Sequence, residues 1–141
     1  MTTAIQQTVT IDNKHYNAED FNDNAQAQLN NLRFTDEQIQ LLRNQQALAE
    51  TAKASYTRAL AENLPEKTSP NKKKNVITID SKKYSLDDFS EQGTAQLFNI
   101  QFAEQEINRL KNLQAVLKMT RAQYGRSLSE ELVKLTPVTA Q

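Results

Sequence analysis

The sequence contains no cysteine and no tryptophan, and only one histidine, two glycines and three prolines in 141 residues. Without cysteine there is no disulfide framework and no thiolate zinc site, and His15 alone cannot build a histidine metal centre. Neither staple of small domains is available. No run of roughly 18 apolar residues exists to span a bilayer, and Met1 to Gln7 lacks the basic start and apolar stretch of a signal peptide. The expectation is a soluble chain without membrane contact, located in the cytoplasm. No Gly-rich phosphate loop, Ser/His/Asp order or metal-ligand spacing occurs, and Gly93 and Gly125 stand isolated inside helical patterns. On that inventory the chain is expected not to be an enzyme, with no catalytic residues, cofactor or metal. Apolar residues make up 38% of the chain, so its core is expected to be a narrow stripe, which favours paired helices.

What is present is an internal repeat. Sliding the sequence by 68 positions lays Val9-Thr10-Ile11-Asp12 on Ile77-Thr78-Ile79-Asp80, and the match runs without a gap to Leu64 on Leu132. Tyr16, Phe21, Phe34 and Tyr56 fall on Tyr84, Phe89, Phe102 and Tyr124, so eight of the nine aromatic residues are paired. Only Phe98, opposite Asn30, has no counterpart. Rings shared by two copies are expected to mark a common packing plan, because a buried ring fills a specific space. The domain reading is a first repeat over 9–64, a linker over 65–75 containing two prolines and four lysines, and a second repeat over 76–135. The ends are polar or small and are expected to fray.

Each copy opens with an alternating segment, two polar residues and a tyrosine, the pattern of a short β-hairpin in which Ile11 and Tyr16, or Ile79 and Tyr84, share a face. Asp12 and Asp80 are read as turn residues. Next, Asn17-Ala18-Glu19-Asp20-Phe21 and Ser85-Leu86-Asp87-Asp88-Phe89 resemble capped helical turns. Their adjacent acids are the only carboxylate pairs that recur in both copies, and they suit a helix start better than catalysis. The rest of each copy predicts helix, but with a change of apolar phase, since Leu97 and Ile100 point away from the stripe of Ile107, Leu110, Leu117, Tyr124 and Leu128. Thr35-Asp36-Glu37-Gln38 fits a capping box, and Phe34 with Ile39 a hydrophobic staple, so a break or kink is expected there.

Beyond that point Ile39, Leu42, Ala49, Tyr56 and Leu60, with the second-copy equivalents, form a coiled-coil-like seam interrupted by Gln46, Lys53, Gln114 and Arg121. Tyr56 and Tyr124 are expected to be substantially buried in it. A helix of about 29 residues spans roughly 43 Å, a distance that the dozen-residue linker covers only when fully extended. Antiparallel packing of the two long helices is therefore favoured. The expected fold class is mainly α with two small β-hairpins (α+β): tandem hairpin-plus-helices repeats packed through long, coiled-coil-like antiparallel helices.

Charge is balanced overall, 17 basic against 17 acidic, but polarised. Residues 1–68 carry six basic and nine acidic side chains, and the remainder eleven and eight, so one half is acidic and the other basic. Lys72, Lys73, Lys74, Lys82 and Lys83 form a basic cluster that a phosphate backbone could use, although a net-neutral chain lacks the usual signature of a nucleic-acid binder. Phe98, Leu113 and Val116 are the candidate interaction surface, Phe98 because it breaks the internal symmetry.

The string Ile79-Asp80-Ser81-Lys82-Lys83-Tyr84-Ser85-Leu86-Asp87-Asp88-Phe89-Ser90, followed by Ala95-Gln96-Leu97, Gln101-Phe102, Glu106-Ile107, Leu110 and Tyr124, resembles a family of short uncharacterised proteins from bacteria and marine phages. The resemblance is close over 77–132 and looser over 9–64. The family pattern has Gly where Asn13 and Ser81 stand. The resemblance lends no activity; it implies that a duplication has fused two units that elsewhere associate as separate chains, and that the source is a phage. The functional expectation is a non-enzymatic protein–protein interaction or structural module, either a virion component or a modulator of a host protein, sited in the host cytoplasm or the virion. A protein partner and homo-oligomer formation are expected, with weak nucleic-acid binding through the lysine-rich linker as the alternative.

Overall fold

The computed structural model describes residues 7–66 and 75–135. In chain order the elements are β1 (Thr8–Ile11), β2 (Lys14–Asn17), α1 (Asp23–Ala61), β3 (Val76–Ile79), β4 (Lys82–Ser85) and α2 (Glu91–Leu132), with a single 3-10 turn after each hairpin, Ala18–Asp20 and Leu86–Asp88. Helix dominates, as expected, and the strands form two separate antiparallel hairpins. Most of the expected linker, with Lys72, Lys73 and Lys74, and the outermost residues of both ends lie outside the described residues.

Each hairpin closes through two residues, because Ile11 pairs with Lys14 and Ile79 with Lys82. Both central residues have positive φ, 50° and 62° at Asp12 and Asn13, 49° and 67° at Asp80 and Ser81. That is the type I′ turn, whose backbone matches the right-handed twist of paired strands, and it explains why glycine suits the second turn position. In this register Val9, Ile11 and Tyr16 share a face and join the core, while Thr10 and His15 share the other and meet at 2.8 Å through Oγ1 and Nδ1. Where the strands end, the Ala18 N–H donates to the Gln7 carbonyl at 2.9 Å, and Leu86 to Asn75 at 2.8 Å.

The structure corrects the expected capping. Ser85 stands at the start of the 3-10 turn, yet its hydroxyl makes no cap bond; the Leu86 N–H is already taken by Asn75. The caps of the long helices lie further on: Asn22 Oδ1 accepts from the Ala25 N–H at 2.8 Å, and Ser90 Oγ from the Gly93 N–H at 3.0 Å.

The expected break near Asp36 is also absent. α1 runs 39 residues and α2 42 without interruption. Thr35 is buried inside α1 and donates to the Asn31 carbonyl at 2.7 Å, a bond available only when the helix continues through it. The phase change has another cause: each helix meets two kinds of neighbour. Leu97 and Ile100 pack with Tyr84, Phe89, Ile77 and Ile79 of the hairpin segment and with Leu60 of α1, whereas Ile107 and Leu110 are buried further along the seam. A second apolar phase needs a second cover, and the hairpin supplies it.

The chain divides into two compact units, one of Met1–Leu42 with Leu113–Gln141, the other of Arg43–Asn112. Each therefore takes the hairpin and first helical half of one sequence copy and the last helical half of the other. In the first unit Tyr16, Ala25, Leu29, Leu32, Leu128 and Leu132 form the buried cluster; in the second, Leu60, Tyr84, Phe89 and Leu97. The paired rings meet edge to face in both, Tyr16 on Phe21 at 6.4 Å and Tyr84 on Phe89 at 6.0 Å.

Within each unit the two helical segments pack together and run antiparallel. In the first, Asn22 Nδ2 donates to Glu131 Oε2 at 3.0 Å and Asp36 pairs with Arg121, so advance along α1 is retreat along α2. In the second, Lys53 pairs with Glu104 at 3.3 Å, and Gly93 lies against the Asn63 carbonyl, 3.0 Å from where a Cβ would stand. Two residues that interrupt the seam in sequence, Lys53 and Arg121, are thus the basic members of cross-helix ion pairs. The third, Gln114, is buried, and Gln46 is partly so. Tyr56 and Tyr124 are only partly buried, less than expected, with Tyr124 packed on the edge of the first cluster.

Candidate functional site

Small concave sites form where each hairpin overlies its helices. The first unit has a cleft of about 540 Å³ bordered by Thr10, Asp12, Arg121, Gly125, Arg126 and Ser129. Several of its polar side chains are already engaged, while Glu130 also lines it. Arg121 Nη2 donates to Asp36 Oδ2 at 3.3 Å and its Nε bonds Oδ1; that hydrogen bonding, aided by the carboxylate's charge and opposed by burial, raises the guanidinium pKa above its ordinary value. Arg126 bonds the Gln123 side-chain oxygen at 3.0 Å, and Ser129 Oγ lies 3.4 Å from Asp12 Oδ2. The cleft of the second unit, about 380 Å³, is lined chiefly by Leu60, Ile77, Ile79, Leu97 and Ile100 with the Lys53–Glu104 pair beside them. Among the described residues no three histidines, cysteines or acids gather in a way that could hold a metal ion. Among them, too, no helix is long and apolar enough to cross a membrane.

The lysines named from sequence are not assembled into a basic face by the described residues. Lys82 and Lys83 are exposed neighbours on β4, where alternation sends them to opposite sides of the hairpin. Lys72, Lys73 and Lys74 lie outside the described residues.

The apolar candidates fare differently. Phe98 is 66% exposed, Val116 60% and Leu113 38%, all on α2, Phe98 in the second unit and the other two in the first. They have company that sequence reasoning placed in the interior. Phe34 and Phe102 occupy the same place in the two sequence copies and are 62% and 66% exposed, so the rule that a recurring ring is a core ring fails for this pair. Leu41, seven residues beyond Phe34, is exposed as well. At roughly 100° per residue, Phe34 and Leu41 lie some 120–180° round α1 from Leu29 and Leu32, the side chains that meet the first hairpin. Phe98 and Phe102 lie roughly 100–160° round α2 from Leu97 and Ile100, which meet the second. Each unit thus carries its hairpin on one side of the helices and large apolar side chains well away from it. The signal was present in the sequence as the seven- and four-residue spacings of these residues, which form a stripe of their own.

No family model, curated protein or solved structure matches the chain.

Proposed function

We propose that the chain is a non-enzymatic protein–protein interaction or structural module. In this reading it is a fused pair of hairpin-plus-helix repeats joined through coiled-coil-like antiparallel helices. Each hairpin secures one side of its helices, and the opposite face receives a protein partner. The observation that carries the reading is the exposure of Phe34, Phe98 and Phe102 at helical spacing on sides that the hairpins leave open. A scattered exposed leucine needs no explanation, but Phe34 with Leu41 on the first unit, and Phe98 with Phe102 on the second, are each the kind of apolar pairing that marks a contact surface. The setting implied by the resemblance is a phage, with the module serving in the virion or on a host protein in the cytoplasm.

The test is affinity capture from cells of the source with the parent and with a Phe98→Ser/Phe102→Ser variant. Both positions are exposed, so the variant should melt with the parent. A protein held by the parent at high salt and released by the variant supports the reading. Retention indifferent to the two rings overturns it. So does submicromolar binding of a labelled oligonucleotide that weakens by roughly one logarithmic unit per contact for each tenfold rise in salt and is lost when Lys82 and Lys83 are replaced.

A further inference from the structure

We propose that the second unit binds an uncharged, extended peptide segment of a partner protein, which lies in the cleft beside β3 and adds to its outer edge as a third strand. The site stands apart from the exposed phenylalanines and does not depend on them.

Three observations carry it, each confined to a single unit. The first is where the cleft lies. Ile77, Thr78 and Ile79 all border it, although alternation sends the Thr78 side chain to the opposite face of the hairpin from its two neighbours. Three successive residues line one space only along the edge of their strand. The ladder fixes what that edge offers. Ile79 and Lys82 flank the two-residue turn as a hydrogen-bonded pair, Ile77 and Tyr84 form the next, and the Leu86 N–H continues the series by donating to the Asn75 carbonyl at 2.8 Å. The N–H and C=O groups of Val76 and Thr78 therefore point outward, and among the described residues no third strand joins the hairpin.

The second is the kind of edge. Open strand edges are normally blunted by charge, proline or a bulge. β3 reads Val-Ile-Thr-Ile and pairs residue for residue, with none of these. The other edge of the same hairpin is guarded, because β4 carries Lys82 and Lys83 and its last residue, Ser85, is buried. The same division recurs in the first unit, where β1 reads Thr-Val-Thr-Ile and β2 carries Lys14 and His15. The cleft recurs with it, since Thr10, Ile11, Leu32, Arg121 and Gly125 are the equivalents of Thr78, Ile79, Ile100, Lys53 and Thr57.

The third is what the cleft accepts. Across from the strand stand Thr57 and Leu60 of α1 with Leu97, Ile100 and Gln101 of α2, and the two charged side chains of the lining, Lys53 and Glu104, meet each other at 3.3 Å. Neither charge is left for a ligand, so the recognised segment is uncharged and carries small apolar side chains at alternate positions, towards Leu60 and Ile100. Main-chain bonds to Val76 and Thr78 hold it in register. The cleft of the first unit selects differently, because Asp12, Arg126 and Glu130 line it.

Titration of the full chain with a labelled, end-blocked hexapeptide of alternating threonine and valine, read by fluorescence anisotropy, tests this. Saturable binding is expected. The same peptide N-methylated along its backbone keeps its side chains but loses its donors, and should bind about tenfold more weakly or worse. Thr78→Pro removes the outward N–H and leaves the hairpin's own bonds in place, since an edge tolerates proline; it should weaken binding about tenfold with an unchanged melting curve. Thr57→Trp fills the cleft from an exposed helix position, should weaken binding as much, and carries the test if the proline variant melts early. Thr10→Pro, the same change in the first unit, and Phe98→Ser/Phe102→Ser should both bind as the parent does. Absence of saturable binding overturns the proposal, as does equal affinity for the N-methylated peptide, or binding indifferent to both Thr78→Pro and Thr57→Trp. Loss of the peptide in the ring variant assigns it to the phenylalanines and overturns the edge site. Failed peptide binding beside ring-dependent capture of a protein removes the edge site while leaving the interaction module standing.

Discussion

The two compact units are built to one plan, and the second carries it out with weaker parts. The cluster under the first hairpin holds six buried residues, among them Leu128 at 0% exposure, and the cluster under the second holds four with Leu60, although the second unit buries Ala103, Ile107 and Leu110 further along its helices. Tight turns are made by Asp-Asn in one and Asp-Ser in the other, at nearly the same φ values. Where the first has buried Ala25 in the opening turn of its helix, the second has Gly93, lying so close to the Asn63 carbonyl that a methyl group would need its neighbours to shift by a few tenths of an ångström. The cross-helix ion pair is a two-pronged Arg121–Asp36 contact in one and a single Lys53–Glu104 contact in the other. Each exchange is expected to lower the local stability of the second unit. On that expectation the second unit is where the molecule should open first.

The largest effect that would break this comparison lies in the cores. Truncating Leu128 to Ala should cost about 3–5 kcal/mol in urea denaturation, since a fully enclosed leucine leaves a cavity that its neighbours fill poorly. Leu60→Ala, in a smaller cluster with more freedom to collapse, should cost about 2–3 kcal/mol. An equal or larger loss at Leu60 would refute the asymmetry.

A smaller effect of opposite sign lies in the turns. Serine at φ 67° carries backbone strain that glycine does not, so Ser81→Gly should stabilise by about 0.5–1 kcal/mol after the entropy glycine adds to the unfolded chain. Asparagine adopts the left-handed region readily, and Asn13→Gly at φ 62° should change stability by less than about 0.5 kcal/mol. Thermal melts of both variants decide the matter; equal shifts would mean that the two hairpins carry equal strain.

How far the sequence reached follows from which forces are local. The hairpins were legible because alternation and turn residues act over eight or nine positions, and the caged tyrosines Tyr16 and Tyr84 fell where alternation put them. The helical stripe was legible in part for the same kind of reason, as Ile39, Leu60, Ile107, Leu110 and Leu128 recur at helical spacing and are buried, while Leu42, Ala49, Tyr56, Leu117 and Tyr124 are only partly so. The break at Asp36 was misread because one helix was assumed to have one covered face. Leu32 and Ile39 lie in the same unbroken helix, and the change of phase records the edge of the hairpin, a tertiary neighbour that no local pattern describes. Phe34 and Phe102 were misplaced for a related reason. Recurrence in two copies shows that a ring has the same duty twice, but does not reveal whether that duty is to fill a core or to meet another molecule. Phe98 could be placed outside the core because it breaks the symmetry of the two copies.

The smallest expected difference sharpens the comparison at the ion pairs. Asp36 and Arg121 face each other across the helices of the first unit with side chains about half exposed, 51% and 49%, and Lys53 and Glu104 of the second at 40% and 49%. Pairs so open to solvent contribute only about 0.2–1 kcal/mol each, because water screens them and two long side chains must be held still. Within that range the arginine pair should stand higher. A planar guanidinium meets a carboxylate through two parallel bonds and loses less freedom per bond, whereas an ammonium is a compact, strongly hydrated charge on a flexible stem. Asp36→Asn should therefore lower stability by a few tenths of a kcal/mol more than Glu104→Gln, and both losses should shrink in about 1 M salt, where the screening length falls to about 3 Å. Arg121 stays charged at any pH the fold survives, since its contact with Asp36 raises an already high pKa, so raising the pH from 6 to 10 should leave the Asp36→Asn penalty unchanged. A larger loss at Glu104 than at Asp36, or losses that persist at high salt, would place the stronger clasp in the second unit and reverse the ranking.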